Sequence, residues 1–161
     1  MNQIASIATA EKAIYLEALL LIERLHRRLL DVLKAELDRL GRADINNVQT
    51  LILYNIGEDE LTVGELSNRG YYLGSNVSYN VKKLVEFGYL HQERSAHDRR
   101  AVRIRLSDKG LDLRRQISGL FDRHVQALFT AAGTTPDELQ RVNGALRALE
   151  GFWSAQVRFG G

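Results

Sequence analysis

The spacing of apolar residues changes abruptly once along this chain, and that change restricts the fold more than any other feature. Up to Gly88 apolar residues recur every three or four positions. Across residues 101–106 they alternate instead, with Val102, Ile104 and Leu106 on one side and Arg103 and Arg105 on the other. The first spacing is that of amphipathic helix and the second that of a half-buried strand. Residues 89–94 supply a partner strand, and residues 95–100 a polar, charged connection between the two. Just before them, Thr62-Val63-Gly64-Glu65 forms a capping box, in which Thr bonds the backbone three residues on and Glu reaches back. It opens a short helix ending near Gly70. A second helix from about Leu73 buries Leu73, Val77, Val81, Leu84 and Val85 and stops at Gly88. Two short helices across a tight turn, then a hairpin, make a winged helix-turn-helix.

Long helices flank this lobe. Ile14, Ala18, Leu21, Leu25, Leu29 and Val32 share one face of the first, which stops at Gly41. A shorter helix begins near Asp44 as N-cap and places Ile45, Val48, Ile52 and Ile56 together. Ser107 caps a further helix carrying Leu113, Ile117, Phe121, Val125 and Leu128. Thr135-Pro136-Asp137-Glu138 combines a capping box with proline at the first helical position, and opens a last helix lined by Leu139, Val142, Leu146, Leu149 and Trp153. The expected fold is mainly α with a small β-hairpin wing. Residues 1–43 form an N-terminal dimerisation helix region, 44–110 the winged helix-turn-helix lobe, and 111–161 the C-terminal dimerisation helices. The apolar faces of the outer helices need a partner, either within one subunit or, as we expect, in a homodimer.

Composition excludes several classes. Among 161 residues there is no cysteine, so there is no disulfide framework, zinc finger or thiol nucleophile. The longest apolar run, residues 18–22, is too short to span a membrane, and the N-terminus lacks a basic segment leading into an apolar one. We expect a cytoplasmic protein that does not enter a membrane. His26, His91, His97 and His124 show no metal-ligand spacing, and there is no Gly-x-Ser-x-Gly elbow or phosphate-cradling glycine loop. An enzyme is not expected, and neither a cofactor nor a metal is implied. Net charge is only +2, yet residues 67–115 hold 11 Lys/Arg against 5 Asp/Glu, while the remainder holds 11 against 15. A basic middle with acidic ends is built to meet a polyanion.

Two groups of residues carry that reading. On the second helix of the motif Ser75, Ser78, Tyr79 and Lys82 fall at helical spacing on one polar stripe, flanked by Asn76 and Lys83. Hydroxyls, an amide, a phenol and lysines suit base edges and phosphates in a major groove, although such a stripe also serves as a plain solvated face. The hairpin connection His97-Asp98-Arg99-Arg100, beside Arg103 on the following strand, concentrates positive charge suited to a narrow minor groove. Charged hairpins also protect sheet edges from aggregation. Asp98 would pair with a neighbouring arginine and fix the loop.

The segment 44–110 resembles the winged helix-turn-helix of the MarR family of bacterial transcriptional regulators. The likeness is sharpest in Leu61-Thr62-Val63-Gly64-Glu65-Leu66, in Leu84-Val85-Glu86-Phe87-Gly88-Tyr89-Leu90, and in the wing, where Asp98 and Arg100 precede Leu106, Ser107 and Gly110. The resemblance implies a homodimer with interlocked terminal helices that reads a pseudo-palindromic operator in double-stranded DNA. Arg100 would reach the minor groove and Asp98 would brace the wing. It also implies release from DNA by a small aromatic or phenolic effector held between the long helices and the lobe. Tyr15, Tyr54 and Phe121 are candidates to line that site, and each serves equally as plain core. Leu73, Gly74 and Tyr79 depart from the usual family pattern, which bears on base preference; this variant most resembles the LdtR-type subgroup, associated with control of cell-wall cross-linking. The rival reading is a winged-helix adaptor that binds protein and not DNA. Such an adaptor would show an apolar patch where Ser75, Ser78 and Lys82 stand.

Overall fold

The computed structural model describes the backbone of residues 2–70, 74–94, 96–97 and 101–159, and the side chains of residues 7–69, 76–94, 96–97 and 101–159. Along the chain run α1 (Asn2–Arg39), α2 (Asn47–Ile56), β1 (Leu61–Thr62), α3 (Val63–Gly70), α4 (Gly74–Glu86), β2 (Leu90–Arg94), β3 (Val102–Leu106), α5 (Asp108–Ala131) and α6 (Pro136–Phe159). The mainly α architecture with a small sheet stands as expected. The chain divides into two compact units, Met1–Ile117 and Ser118–Gly161.

Local signals set most element boundaries. The Thr62 box forms: Glu65 N–H donates to Thr62 Oγ1 at 3.1 Å, and Thr62 N–H to Glu65 Oε2 at 2.8 Å. The Thr135 box forms likewise, with Glu138 N–H to Thr135 Oγ1 at 3.2 Å and Thr135 N–H to Glu138 Oε2 at 2.9 Å. The expectation for α2 needs correction, because its N-cap is Asn46 and not Asp44. Asn46 Oδ1 accepts from Gln49 N–H at 2.8 Å while Gln49 Oε1 accepts from Asn46 N–H at 3.1 Å, a reciprocal pair that fixes the start.

The sheet holds one strand more than the hairpin. β1 pairs antiparallel with β3, Leu61 opposite Ile104 and Thr62 opposite Arg103, which makes β3 the central strand in the order β1-β3-β2. β2 pairs with β3 from Leu90↔Leu106 to Arg94↔Val102. The core of the first unit gathers Leu33 and Leu37 of α1, Ile52, Leu53 and Ile56 of α2, Leu66 of α3, Val77, Val81 and Leu84 of α4, and Ile104 and Leu106 of β3. Leu113 and Ile117 at the start of α5 are fully buried too. Much of the apolar stripe of α1 is exposed in the single chain: Ile14, Leu21 and Leu25 are all solvent-facing. In α6 no described residue is buried.

One joint ties three chain turns together. Gly88, at φ +80°, ends α4, and Tyr89 N–H and Gly88 N–H bond back to the Leu84 and Val85 carbonyls at 2.9 and 3.1 Å. The Tyr89 ring is fully buried, and its hydroxyl donates to Asp44 Oδ1 at 2.7 Å. Lys109 Nζ donates to Asp44 Oδ2 at 2.6 Å and to the Phe87 carbonyl at 2.8 Å, and stands 4.3 Å from the Tyr89 ring centre. Ser107 N–H donates to the Tyr89 carbonyl at 3.0 Å, and Ser107 Oγ donates to the Gly88 carbonyl at 2.6 Å while accepting from Gly110 N–H at 3.1 Å. Asp44, which is not the cap, is thus the acceptor that joins the approach to α2 with both turns.

Burial pushes the Tyr89 phenol up to about 12, and its bond to the Asp44 carboxylate pushes the same way. Burial alone would raise Asp44 as well, but its bonds from Lys109 and Tyr89 outweigh that and leave it below the usual value of 3.8. A Cβ on Gly110 would lie 2.3 Å from the Tyr89 carbonyl oxygen, a clash with backbone that cannot step aside. Gly110→Ala should therefore cost about 3 kcal/mol, read from urea midpoints, because overpacking against fixed atoms exceeds any helix-propensity gain. Gly64→Ala, whose Cβ would meet only Thr62 Oγ1 at 3.8 Å, should be neutral or gain up to about 1 kcal/mol.

The raised phenol also sets a pH window. The folded state holds the Tyr89 proton more tightly than the unfolded chain does, so its contribution is complete below pH 10 and is lost as pH rises towards about 12. Thermal melts across that range should show Tyr89→Phe losing less stability than the parent protein. The lowered carboxyl acts oppositely, its contribution being present above pH 3.8 and lost as pH falls below it.

Candidate nucleic-acid interface

The two faces of α4 divide by residue type. Val77, Val81 and Leu84 pack into the core, which forces Asn76, Ser78, Tyr79 and Lys82 outward at helical spacing. Tyr79 is 61% exposed, so the phenol is not held by the core. Lys83 differs from its neighbours: it is half-buried, its Nζ donates to Glu86 Oε2 at 3.1 Å, and it lies 5.9 Å from the Tyr79 ring centre. The bond to Glu86 and that carboxylate's charge hold the Lys83 ammonium above its ordinary pKa. The side chain of Ser75 lies outside the described residues.

Asn80, which sequence reasoning passed over, anchors the helix. Its amide donates to the Asn76 carbonyl at 2.8 Å, and its oxygen accepts from Gln49 Nε2 at 3.3 Å, tying α4 to α2. Asn80 and Gln49 are distant in sequence, so no local pattern reveals the pair.

On the wing, Arg103 and Arg105 point to solvent while Ile104 and Leu106 are buried, as the alternation requires. Register places His91 opposite Arg105 and Glu93 opposite Arg103 on the same outer face. His97 is exposed in the connection between the strands. Asp98, Arg99 and Arg100 lie outside the described residues. The surface joins a polar, hydrogen-bonding helix face that carries Lys82 to a sheet face that carries Arg103 and Arg105 within one unit, a combination suited to base edges and phosphates together.

The candidate effector residues fall in both units, Tyr15 and Tyr54 in the first and Phe121 in the second. Tyr15, on α1, is exposed. Tyr54, on α2, faces the Arg114 guanidinium at 5.2 Å. Arg114 Nη1 lies 3.5 Å from Glu58 Oε1, but its buried Nε has no hydrogen-bond partner among the described residues. Phe121 belongs to the second unit, where it tilts against His124 at 6.3 Å and lines an apolar hollow of about 680 Å³ with Val125 and Leu128. Among the described residues no cluster of His, Cys, Asp and Glu could hold a metal, and no helix is long and apolar enough to cross a membrane.

Comparison with known proteins agrees with the fold. A family model described as the MarR family matches residues 43–101. The exopolysaccharide II synthesis transcriptional activator ExpG of Rhizobium meliloti (strain 1021) is 38% identical over 146 residues, spanning 91% of this chain and 75% of that protein. The transcriptional regulator SlyA superposes with a TM-score of 0.74 at 18% identity, covering 89% of this chain and 99% of that one. A MarR mutant from E. coli complexed with operator DNA gives 0.67 at 22% identity, covering 80% and 90%. These structures share the fold, and FabT of Streptococcus pneumoniae, solved in complex with DNA, shares it too, with a TM-score of 0.66 at 21% identity over 88% and 98%. With a winged lobe that the family model matches and a relative 38% identical across 91% of this chain, the protein belongs to the MarR family.

Proposed function

We propose that the protein is a cytoplasmic, homodimeric, sequence-specific regulator of transcription that binds a pseudo-palindromic operator in double-stranded DNA. The observation that carries this reading is the outward stripe of Asn76, Ser78, Tyr79 and Lys82, opposite the buried Val77, Val81 and Leu84. On this reading α4 enters the major groove, with Ser75 and Lys83 beside the stripe. The wing enters the minor groove through His97, Asp98, Arg99, Arg100 and Arg103. Solved relatives in complex with DNA support it. Among the described residues of α4, polar Asn76, Ser78 and Lys82 stand beside Tyr79 where a protein adaptor would need an apolar patch. Exposed Ile14, Leu21 and Leu25 on α1, and Val142 and Leu146 on α6, support a dimer built from residues 1–43 and 111–161.

Sedimentation at micromolar concentration should give about twice the chain mass of 18.2 kDa, and half-site centres should lie about 10 bp apart. Tyr79→Ala should leave the salt dependence of binding nearly unchanged while shrinking the gap between the best site and its point variants, where one mismatch costs about 1–3 kcal/mol. Arg100→Ala should weaken binding to most sequences alike and flatten the log–log salt slope by about 1 per subunit if it neutralises a phosphate. Fluorescence anisotropy against matched, point-mutated and unrelated duplexes across a salt series separates the two. A monomer that binds no duplex would overturn the reading.

Response to a small aromatic or phenolic acid is the finer part of this proposal, and one observation favours a place for it. Arg114 combines a buried, unpartnered Nε with the Tyr54 ring beneath its guanidinium, which suits the carboxylate and ring of such a ligand. With benzoate as probe, DNA release by the parent protein and not by Arg114→Met is the expected result. Equal release by both would move the effector elsewhere.

A further inference from the structure

The outer face of the wing is not simply cationic. Register sets Glu93 of β2 directly across from Arg103 of β3, and directly paired residues share a face of the sheet. Arg105 lies two positions further on that face, and its Nη2 is 4.0 Å from Glu93 Oε1. On the other side of Arg103 stands Thr62 of β1, whose backbone N–H already donates to the Glu65 carboxylate. Glu93 is therefore placed between two arginines, with both partners of the measured pair more than half exposed.

Stability does not explain this placement. An exposed ion pair contributes little to folding, since water screens it and two long side chains lose freedom to form it. A carboxylate on a surface that meets phosphates is moreover a cost to binding, because its charge repels the ligand and occupies the cations that would neutralise it. We propose that Glu93 is a specificity-determining residue that acts as a charge brake: it holds Arg105, and the field of Arg103, against the sheet, so that the wing gives little affinity to DNA in general. The inference rests on the DNA-binding reading above. Only a site whose base contacts pull the wing close supplies phosphates near enough to displace the carboxylate. The brake thus lowers indiscriminate binding more than operator binding, and it widens the ratio that decides occupancy on a genome.

Three proteins test it: the parent, Glu93→Gln, and Glu93→Gln combined with Arg105→Gln, each first checked for an unchanged thermal melt. Against an unrelated duplex between about 50 and 200 mM salt, Glu93→Gln should bind roughly threefold or more tighter, with a log–log slope steeper by about 0.9 for each phosphate gained. It should elute from a heparin column at higher salt, and the double variant should return to the parent position or below. A single variant that matches the parent, or binds more weakly, in both assays overturns the brake even while the parent binds its operator. The predicted order on heparin, with no duplex bound by any of the three, would instead overturn the DNA-binding reading and leave only the restraint of Arg105 by Glu93 standing.

Discussion

The buried hydroxyl of Tyr89, bonded to Asp44, is the contact on which the winged lobe depends. A fully buried phenol must find an acceptor, and the one it finds comes from 45 residues earlier in the chain. Lys109, 65 residues after Asp44, then neutralises that acceptor and also bonds the carbonyl of Phe87 at the end of α4. Three turns that would otherwise be independent (the entry to α2, the exit from α4 and the entry to α5) share one set of polar atoms. The direction of α4 relative to the sheet follows from that arrangement, and so does the presentation of its outward stripe. Gly88 and Gly110 are the steric conditions for it, one by its backbone conformation and the other by the absence of a Cβ.

Much of this was legible from sequence wherever the determining contacts are local. Thr62 with Glu65 and Thr135 with Glu138 form their boxes within four residues, so the starts of α3 and α6 could be read directly. The alternation of β3 was equally plain, because period two needs only one buried face. Asp44 shows where local reading stops. Asp and Asn are both good caps, and two residues apart they compete on equal terms; the partner that removes Asp44 from the contest is Lys109, which no window around residue 44 contains. Strand β1 was hidden for a related reason, since two residues carry no period and Thr62 had already been assigned a capping task.

The candidate interface divides in the same way. The stripe on α4 could be found because exposure there is the complement of helical burial. What decides its neighbours is non-local: Asn80 is tied to Gln49, and Glu93 meets Arg103 through strand register. Arg114 stayed invisible because an arginine on a helix is unremarkable until its Nε is seen to be buried above Tyr54. The charge count for residues 67–115 points to the cationic segment, but a count cannot say which cations a neighbouring carboxylate holds back.

The segregation of α4 into a packed face and an open face has an evolutionary consequence. Asn76, Ser78, Tyr79 and Lys82 touch water, whereas Val77, Val81 and Leu84 and the Tyr89 joint carry the fold. Exchanges at exposed positions of this kind usually alter stability by less than about 0.5 kcal/mol. On the DNA-binding reading proposed above, descendants of such a gene can therefore drift to new target sequences by single steps on the open face, each leaving a folded protein. The residues of the joint have no such freedom: Asp44, Tyr89 and Lys109 lose their partners if one changes alone, so they should pass between generations as a set.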